Sequence, residues 1–258
     1  MKKIVTILYL VMLGLVPISA QNIDRLVKQA RKGKTAAYES LAICYRDGEG
    51  LDKSWLNMLC MYEIYCLKTG REVRDIVICM DDHHPYRLLT DILYMSSYDD
   101  TAKAYLDKIR EVDPIEAQAI DVTSVLFSED VSADIVEEMS DLADKGSELA
   151  AVYLGAYYQE QDMTSTVERE NCYERLAEKY PIFYLLSGEV YIMKYHDEGD
   201  FANIQKAVEY YYKADSYGML TPKYAAGLLS IYDYFGKNGV LGVSKRELKR
   251  LKRIAAAI

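Results

Sequence analysis

The sequence predicts an all-α protein: an α-α solenoid in which about six antiparallel helix pairs stack into an open right-handed superhelix. Apolar residues recur at the 3.6-residue spacing of amphipathic helices, and no segment shows the period-2 alternation of a strand. Three glycines suited to ending helices, Gly70, Gly146 and Gly218, are spaced by 76 and 72 residues. Half of each spacing is the length of one helix pair in a solenoid.

The chain begins with a segment typical of a secretory signal peptide, residues 1–20. Lys2 and Lys3 precede an apolar run, and Pro17 stands shortly before the small residue Ala20. We expect cleavage after Ala20, which leaves residues 21–258 as one solenoid domain, periplasmic or secreted. The alternative is a membrane anchor, but the run is shorter than the roughly 20 residues that span a bilayer. No second apolar run of that length follows, so we do not expect stable membrane insertion, and no cysteine stands at the cleavage point, so we do not expect a lipid anchor.

The charge of the chain is acidic and unevenly spread. The full sequence has a net charge of −9, and removing Lys2 and Lys3 leaves −11. This charge opposes binding of nucleic acid or an anionic membrane by the body of the protein. Residues 244–258 differ, because they contain six Lys or Arg against one Glu, a net +5.

The first elements are predicted from capping residues and glycines. A lead-in helix is expected from Asn22 to Ala30, with Asn22 as its N-cap and Gly33 beyond its end. The segment Ala37–Gly70 then forms the reference helix pair, broken at Gly48 and Gly50 into two antiparallel helices. A weaker helical pattern in residues 71–82 links this pair to the next.

The later elements are marked by prolines and apolar stripes. Pro85, Pro114, Pro181 and Pro222 are each expected at a helix start, where the missing N–H has no helical partner. Helical stripes of apolar residues then occupy 102–112, 135–143, 172–177 and 207–214. These stripes predict the second helix of each later pair.

Residues 244–258 are expected to form a C-terminal capping helix over the last pair. Ser244 and Glu247 make a capping box, and Leu248, Leu251 and Ile254 make an apolar stripe. The basic face would then point outward. The alternative is a membrane-surface helix, which the narrow stripe without aromatic residues does not favour.

Two stretches carry a resemblance to a known family. The first is Leu41-x-x-x-Tyr45-x-x-Gly48-x-Gly50, and the second contains Gly146, Ala150, Leu154, Gly155 and Tyr158. This pattern resembles the Sel1-like repeat, a relative of the tetratricopeptide repeat. The later turns depart from it, since they lack the Gly-x-Gly pair. The resemblance implies a protein-binding scaffold and leaves its partner unnamed.

The same resemblance implies a binding groove lined by the first helix of each pair. In tetratricopeptide-type repeats, groove residues lie two before, two after and five after the buried Leu of the motif. With Leu41, Leu154 and Ser187 in that place, the candidate groove residues are Glu39, Ile43, Arg46, Val152, Ala156, Gln159, Leu185, Glu189 and Ile192. Mixed apolar and polar side chains suit a protein or peptide segment. The alternative is that these residues only coat a wide groove.

The five cysteines are an odd set for a chain bound for an oxidising compartment. Cys44 on the first helix of the reference pair could face Cys60 or Cys66 on the second. Some secreted Sel1-like proteins have such a bond. The alternative is that the cysteines are small apolar core residues.

No catalytic motif, phosphate-binding loop or paired cysteine ligands occur, so we expect a protein that is not an enzyme and needs no cofactor. Residues 81–84, Asp-Asp-His-His, could hold a divalent metal, but a solvated turn with His84 at a helix entry is preferred. The 24 tyrosines are expected to pack between helices, the alternative being an aromatic binding platform.

The sequence therefore predicts a non-enzymatic protein–protein interaction scaffold of the cell envelope. The competing hypothesis is an envelope enzyme or enzyme regulator, related to peptidoglycan or β-lactam recognition, because some secreted Sel1-like proteins have been linked to β-lactams.

Overall fold

The computed structural model describes residues 20–81, 84–94, 100–126, 132–160, 166–236 and 241–256. These ranges are all-α and contain no strand. The helices are Ala20–Ala30 (α1), Thr35–Asp47 (α2), Trp55–Thr69 (α3), Val73–Val77 (α4), Pro85–Leu93 (α5), Asp100–Val112 (α6), Pro114–Leu126 (α7), Ala133–Asp144 (α8), Glu148–Glu160 (α9), Thr166–Lys179 (α10), Phe183–Glu198 (α11), Phe201–Ser216 (α12), Pro222–Gly236 (α13) and Lys245–Ala255 (α14). The predicted signal segment, apart from Ala20, lies outside the described residues.

Glycine and proline set the helix boundaries. Gly48 and Gly70 follow α2 and α3 in the left-handed conformation, with φ of 75° and 69°, which costs little without a Cβ. Pro85, Pro114 and Pro222 are the first residues of α5, α7 and α13, as expected. The expectation for Pro181 is wrong by two residues, because α11 begins at Phe183 and Pro181 lies in the turn before it.

Helices that follow each other in the chain pack against each other, from α1 on α2 through to α13 on α14. A large apolar core extends from α1 to α11, and a second cluster joins α11, α12, α13 and α14. Trp55 is fully buried in the large core, and its indole N–H donates to the Thr90 hydroxyl at 2.9 Å. No helix of the described residues has the length and apolarity that a bilayer crossing requires.

The two ends of the described chain meet. The Asp215 carboxylate at the end of α12 is fully buried, and it accepts from Arg31 Nε at 3.1 Å and Arg250 Nη1 at 2.8 Å. Arg250 also donates to the carbonyl oxygen of Arg31 at 2.8 Å, and Lys68 Nζ donates to that of Ile254 at 3.3 Å. The last helix therefore contacts α3 and the turn after α1, a contact between the chain ends that the sequence did not predict.

All five cysteines are free thiols in the structure. Cys44, Cys60, Cys66 and Cys172 are buried, and Cys79 is exposed. Burial raises the pKa of the Cys44 thiol to about 11 and that of Cys172 to about 12, which keeps both protonated and unreactive at neutral pH. The buried cysteines pack as small core residues, and the disulfide considered for Cys44 is absent.

Candidate functional site

A groove between α11, α12 and α13 encloses a cavity of about 390 Å³ and contains two of the residues predicted to bind a partner. Glu189 and Ile192 of α11 line one side of it. Met193 of α11 also lines the cavity, and the other lining residues are Tyr211 of α12 and Lys223, Tyr224, Gly227 and Ile231 of α13. We call this cavity the α11–α13 groove.

Two glycines shape the groove. A Cβ on Gly188 would lie 2.3 Å from Tyr211 Cε1, so only glycine there lets this buried ring pack against α11. A Cβ on Gly227 would meet no atom within 4 Å, apart from the backbone of its own helix. Gly188 therefore allows the Tyr211 ring to pack at this side of the groove, and Gly227 leaves the space of the groove open.

An ion pair lies at the rim. Lys223 Nζ donates to Glu189 Oε1 at 2.9 Å and lies 5.0 Å from the Tyr224 ring centroid. The Tyr211 and Tyr224 rings are 5.4 Å apart between centroids and tilted by 50°. Burial, together with the nearby Glu189 carboxylate, raises the pKa of both phenols well above its usual value. Both phenols therefore stay neutral at physiological pH and can serve as hydrogen-bonding groups in an apolar wall.

The other predicted groove residues are placed as follows. Six of them are half-buried or exposed on α2 and α9: Glu39, Ile43, Arg46, Val152, Ala156 and Gln159. Arg46 is paired with its neighbour Asp47 at 2.6 Å. Leu185 is the exception, because it is 1% exposed within the second core cluster. Its assignment to a groove surface is therefore corrected: Leu185 packs between helices and presents no surface to a partner.

Sequence reasoning missed half of the groove. It assigned no groove position to α13, whose Tyr224, Gly227 and Ile231 form the wall opposite Glu189 and Ile192. The spacing of these three residues, at i, i+3 and i+7, is that of one helical face. That spacing was visible in the sequence, but it is the packing of α13 beside α11 and α12 that makes this face line the groove.

Other cavities lie elsewhere on the molecule. Those of about 990 Å³ between α13 and α14 and of about 680 Å³ at the end of α3 are larger than the groove. Neither of the two is lined by a residue that the sequence predicts to bind a partner. A polar cavity of about 290 Å³ at Ser140, Tyr158 and Arg175 is smaller, and Arg175 is already bonded to Ser140 and Asp144.

Two buried carboxylates cap helices in the core. Glu116 accepts from the Ser147 hydroxyl at 2.6 Å and from the amides of Glu148 and Leu149 at the start of α9. Glu148 Oε2 in turn accepts from the Leu56 amide at the start of α3, also at 2.6 Å. Burial raises the pKa of Glu148 to about 7 and also raises that of Glu116. Glu116 thus accepts from two backbone amides and a hydroxyl, and Glu148 from one backbone amide, and these bonds join α7, α9 and α3.

The metal candidate at residues 81–84 is only partly described, because Asp82 and His83 lie outside the described residues. His84 is the N-cap of α5, and its Nδ1 accepts from the Tyr86 amide at 3.2 Å, as the helix-entry interpretation predicts. Within the described ranges, no group of three or more His, Cys, Asp or Glu side chains could hold a metal ion.

The tyrosines that the sequence assigns to packing lie in or beside the core. Tyr45, Tyr62 and Tyr211 are buried, and Tyr158 is half-buried. The buried Tyr38 hydroxyl donates to the carbonyl oxygen of Ala30 at 2.7 Å, whereas the buried Tyr180 hydroxyl has no hydrogen-bond partner among the described residues. These rings stabilise contacts between helices and do not form an exposed platform.

No protein-family model and no curated protein matches this chain. The likeness to the Sel1-like repeat therefore rests on the residues named above.

Proposed function

We propose that this protein is a non-enzymatic scaffold of the cell envelope, built from six helix pairs of the Sel1-like type, which binds a peptide segment of a partner protein in the α11–α13 groove. The order of the helices supports the repeat count. After α1, the pairs are α2 with α3, α5 with α6, α7 with α8, α9 with α10, and α11 with α12, and the short α4 follows the first pair. The sixth pair is α13 with α14, so the helix expected as a separate cap is counted here as the second helix of the last pair.

The observation that carries the binding proposal is the composition of the groove. Ile192, Ile231 and the Tyr211 ring offer an apolar recess for a side chain, and Glu189 and Lys223 offer charged groups at its edge. The volume of about 390 Å³ is at the small end of ligand pockets, which span about 300–1,000 Å³. Such a recess suits the anchoring side chains of a peptide whose backbone bonds at the rim.

The test fills the groove without disturbing the core. Random peptides displayed on phage are selected on the wild-type protein, and their affinities are measured by fluorescence polarisation against Gly227→Leu and Gly227→Ala. The leucine side chain enters open space in the groove, whereas alanine adds a single methyl group. We expect Gly227→Leu to weaken binding about 30-fold, since one buried anchor typically contributes about 2 kcal/mol.

Gly227→Ala is the matched control and should bind as the wild type does. Circular dichroism is used to check that both variants keep their helices. Selected peptides that bind Gly227→Leu as tightly as the wild type would place the binding surface outside this groove. A selection that returns no specific peptide would refute the proposal of peptide binding.

A further inference from the structure

The last helix presents an unbroken basic face. At about 100° per residue, Lys252, Lys245, Lys249, Arg253 and Arg246 fall within an arc of roughly 120° on α14. All five are exposed. Leu251 and Ile254 on the opposite side are fully buried, so the apolar side of α14 is used within the fold.

Folding extends this face with lysines from the other end of the chain. Arg253 Nη1 donates to the carbonyl oxygen of Lys32 at 3.4 Å, and Arg253 Cγ lies 3.6 Å from where a Cβ on Gly33 would be. Lys32 and Lys34 flank that glycine, and both are exposed. The seven residues that we call the basic face are Lys32, Lys34, Lys245, Arg246, Lys249, Lys252 and Arg253.

The basic face has no acidic partner within ion-pair distance in the part of the chain that the structure describes. Among the described residues, none of its seven side chains forms an ion pair with a carboxylate. The one acid of α14, Glu247, is on its packed side and pairs with Arg250. Like charges at the i, i+4 spacing, as in Lys245 and Lys249, destabilise an isolated helix. Packing within the fold therefore does not explain this concentration of charge, whereas an anionic partner would neutralise it.

We propose that the basic face binds the surface of a bilayer containing anionic phospholipids, by electrostatic attraction and without insertion. The exposed arc of α14 carries no apolar or aromatic side chain that could enter the hydrocarbon or fill a pocket on a protein. It offers only an extended array of cations, which matches the extended array of phosphates at a lipid surface. Because screening limits electrostatic attraction to about 8 Å at physiological ionic strength, this local face acts at contact although the chain as a whole is acidic.

The experiment measures binding of the purified protein, without the predicted signal segment 1–20, to vesicles by flotation. Phosphatidylglycerol-containing vesicles are compared with pure phosphatidylcholine at low and high salt. The test variant is Lys245→Glu/Lys249→Glu/Lys252→Glu, and a second variant changes the same lysines to Gln. The matched control is Lys103→Glu/Lys108→Glu/Lys145→Glu, which changes net charge equally at exposed lysines outside the basic face.

We expect the wild type to bind phosphatidylglycerol vesicles at low salt, to dissociate at high salt and to ignore phosphatidylcholine. Each basic residue near an anionic surface contributes about 1 kcal/mol, so the Glu variant should bind more than about 100-fold more weakly. The Gln variant should show a smaller loss in the same direction, and the control should bind nearly as the wild type does. Gly227→Leu should bind vesicles as the wild type does, because the α11–α13 groove takes no part in vesicle binding.

Three results would overturn the inference. The first is an absence of binding to phosphatidylglycerol at low salt. The second is an equal loss of binding in the control, which would make the effect one of net charge. The third is salt-dependent binding to double-stranded DNA by a wild-type protein that does not bind vesicles, which would assign the basic face to nucleic acid.

Discussion

Replacing Glu148 by Gln tests whether a buried carboxylate makes the stability of this protein depend on pH. Glu148 is 9% exposed and joins the start of α9 to the Leu56 amide at the start of α3. Gln keeps the shape and the acceptor oxygen of the side chain but cannot ionise. The variant therefore resembles the protonated form of the wild type at every pH.

The size of the pH dependence of stability follows from the shift in the pKa of Glu148. Burial raises the pKa of Glu148 from 4.5 to about 7, Glu116 adds to this rise, and the Leu56 amide, the Ser54 hydroxyl and Lys179 oppose it. Below pH 4.5 the group is protonated in both folded and unfolded states, and above pH 7 it is ionised in both. The folded state binds the proton more tightly, so stability is lost as pH rises between these values. At roughly 1.4 kcal/mol per pH unit, the loss is about 3 kcal/mol.

The assay is urea unfolding of the wild type and Glu148→Gln at several pH values from 4.5 to 8. We expect the difference in unfolding free energy between the two proteins to shift by about 3 kcal/mol across this range, in favour of the variant at pH 8. The exposed Glu111→Gln is the control and should give a constant difference. If the difference in unfolding free energy between the wild type and Glu148→Gln were also independent of pH, burial would not raise the pKa of Glu148, and the reasoning would be refuted.

Four further substitutions test helix packing, a buried ion pair and a helix cap, and urea unfolding measures the stability change in each. Gly188→Ala should destabilise the protein by about 1–2 kcal/mol, because its Cβ would overlap the buried Tyr211 ring. Gly227→Ala should stabilise the protein by up to about 1 kcal/mol, because alanine has a higher helix propensity than glycine. If Gly188→Ala and Gly227→Ala changed the unfolding free energy in the same direction, the packing described here would be contradicted. Asp215→Ala should cost about 2–3 kcal/mol, since it removes the buried carboxylate that accepts from Arg31 and Arg250, while Arg250 keeps its ion pair with Glu247. Amide hydrogen exchange in α1 should also rise, and unchanged exchange there would show that this carboxylate does not hold the two chain ends together. Ser244→Ala should lower the unfolding free energy by about 1 kcal/mol, because it removes the hydroxyl that accepts from the Glu247 amide. Ser244→Asp keeps a capping oxygen and should be as stable as the wild type. An unchanged unfolding free energy in Ser244→Ala would show that the cap contributes nothing.

Helix positions followed from local features of the sequence. Three of the four prolines start helices, Gly48 and Gly70 end them, and Ser244 caps α14, because each of these effects acts within one helical turn. Pro181 shows the limit of this reasoning, since a proline is equally compatible with the turn before a helix.

The candidate site was only half predictable. Glu189 and Ile192 came from the register of one helix, and the structure places both in the α11–α13 groove. Leu185 came from the same register and is buried, because the neighbouring helices cover its side of α11. A register specifies which residues share a face, but not which neighbour covers that face.

The sequence by itself determined that the described chain is all-helical and where most of its helices begin and end, since periodicity and capping depend on residues a few positions apart. Only the tertiary structure decided that α14 returns to the turn after α1, that α13 completes the groove, and that lysines from both ends form one basic face. These contacts join residues up to about 220 positions apart. They depend on how each helix is oriented against the helices it contacts, and local sequence patterns do not specify that orientation.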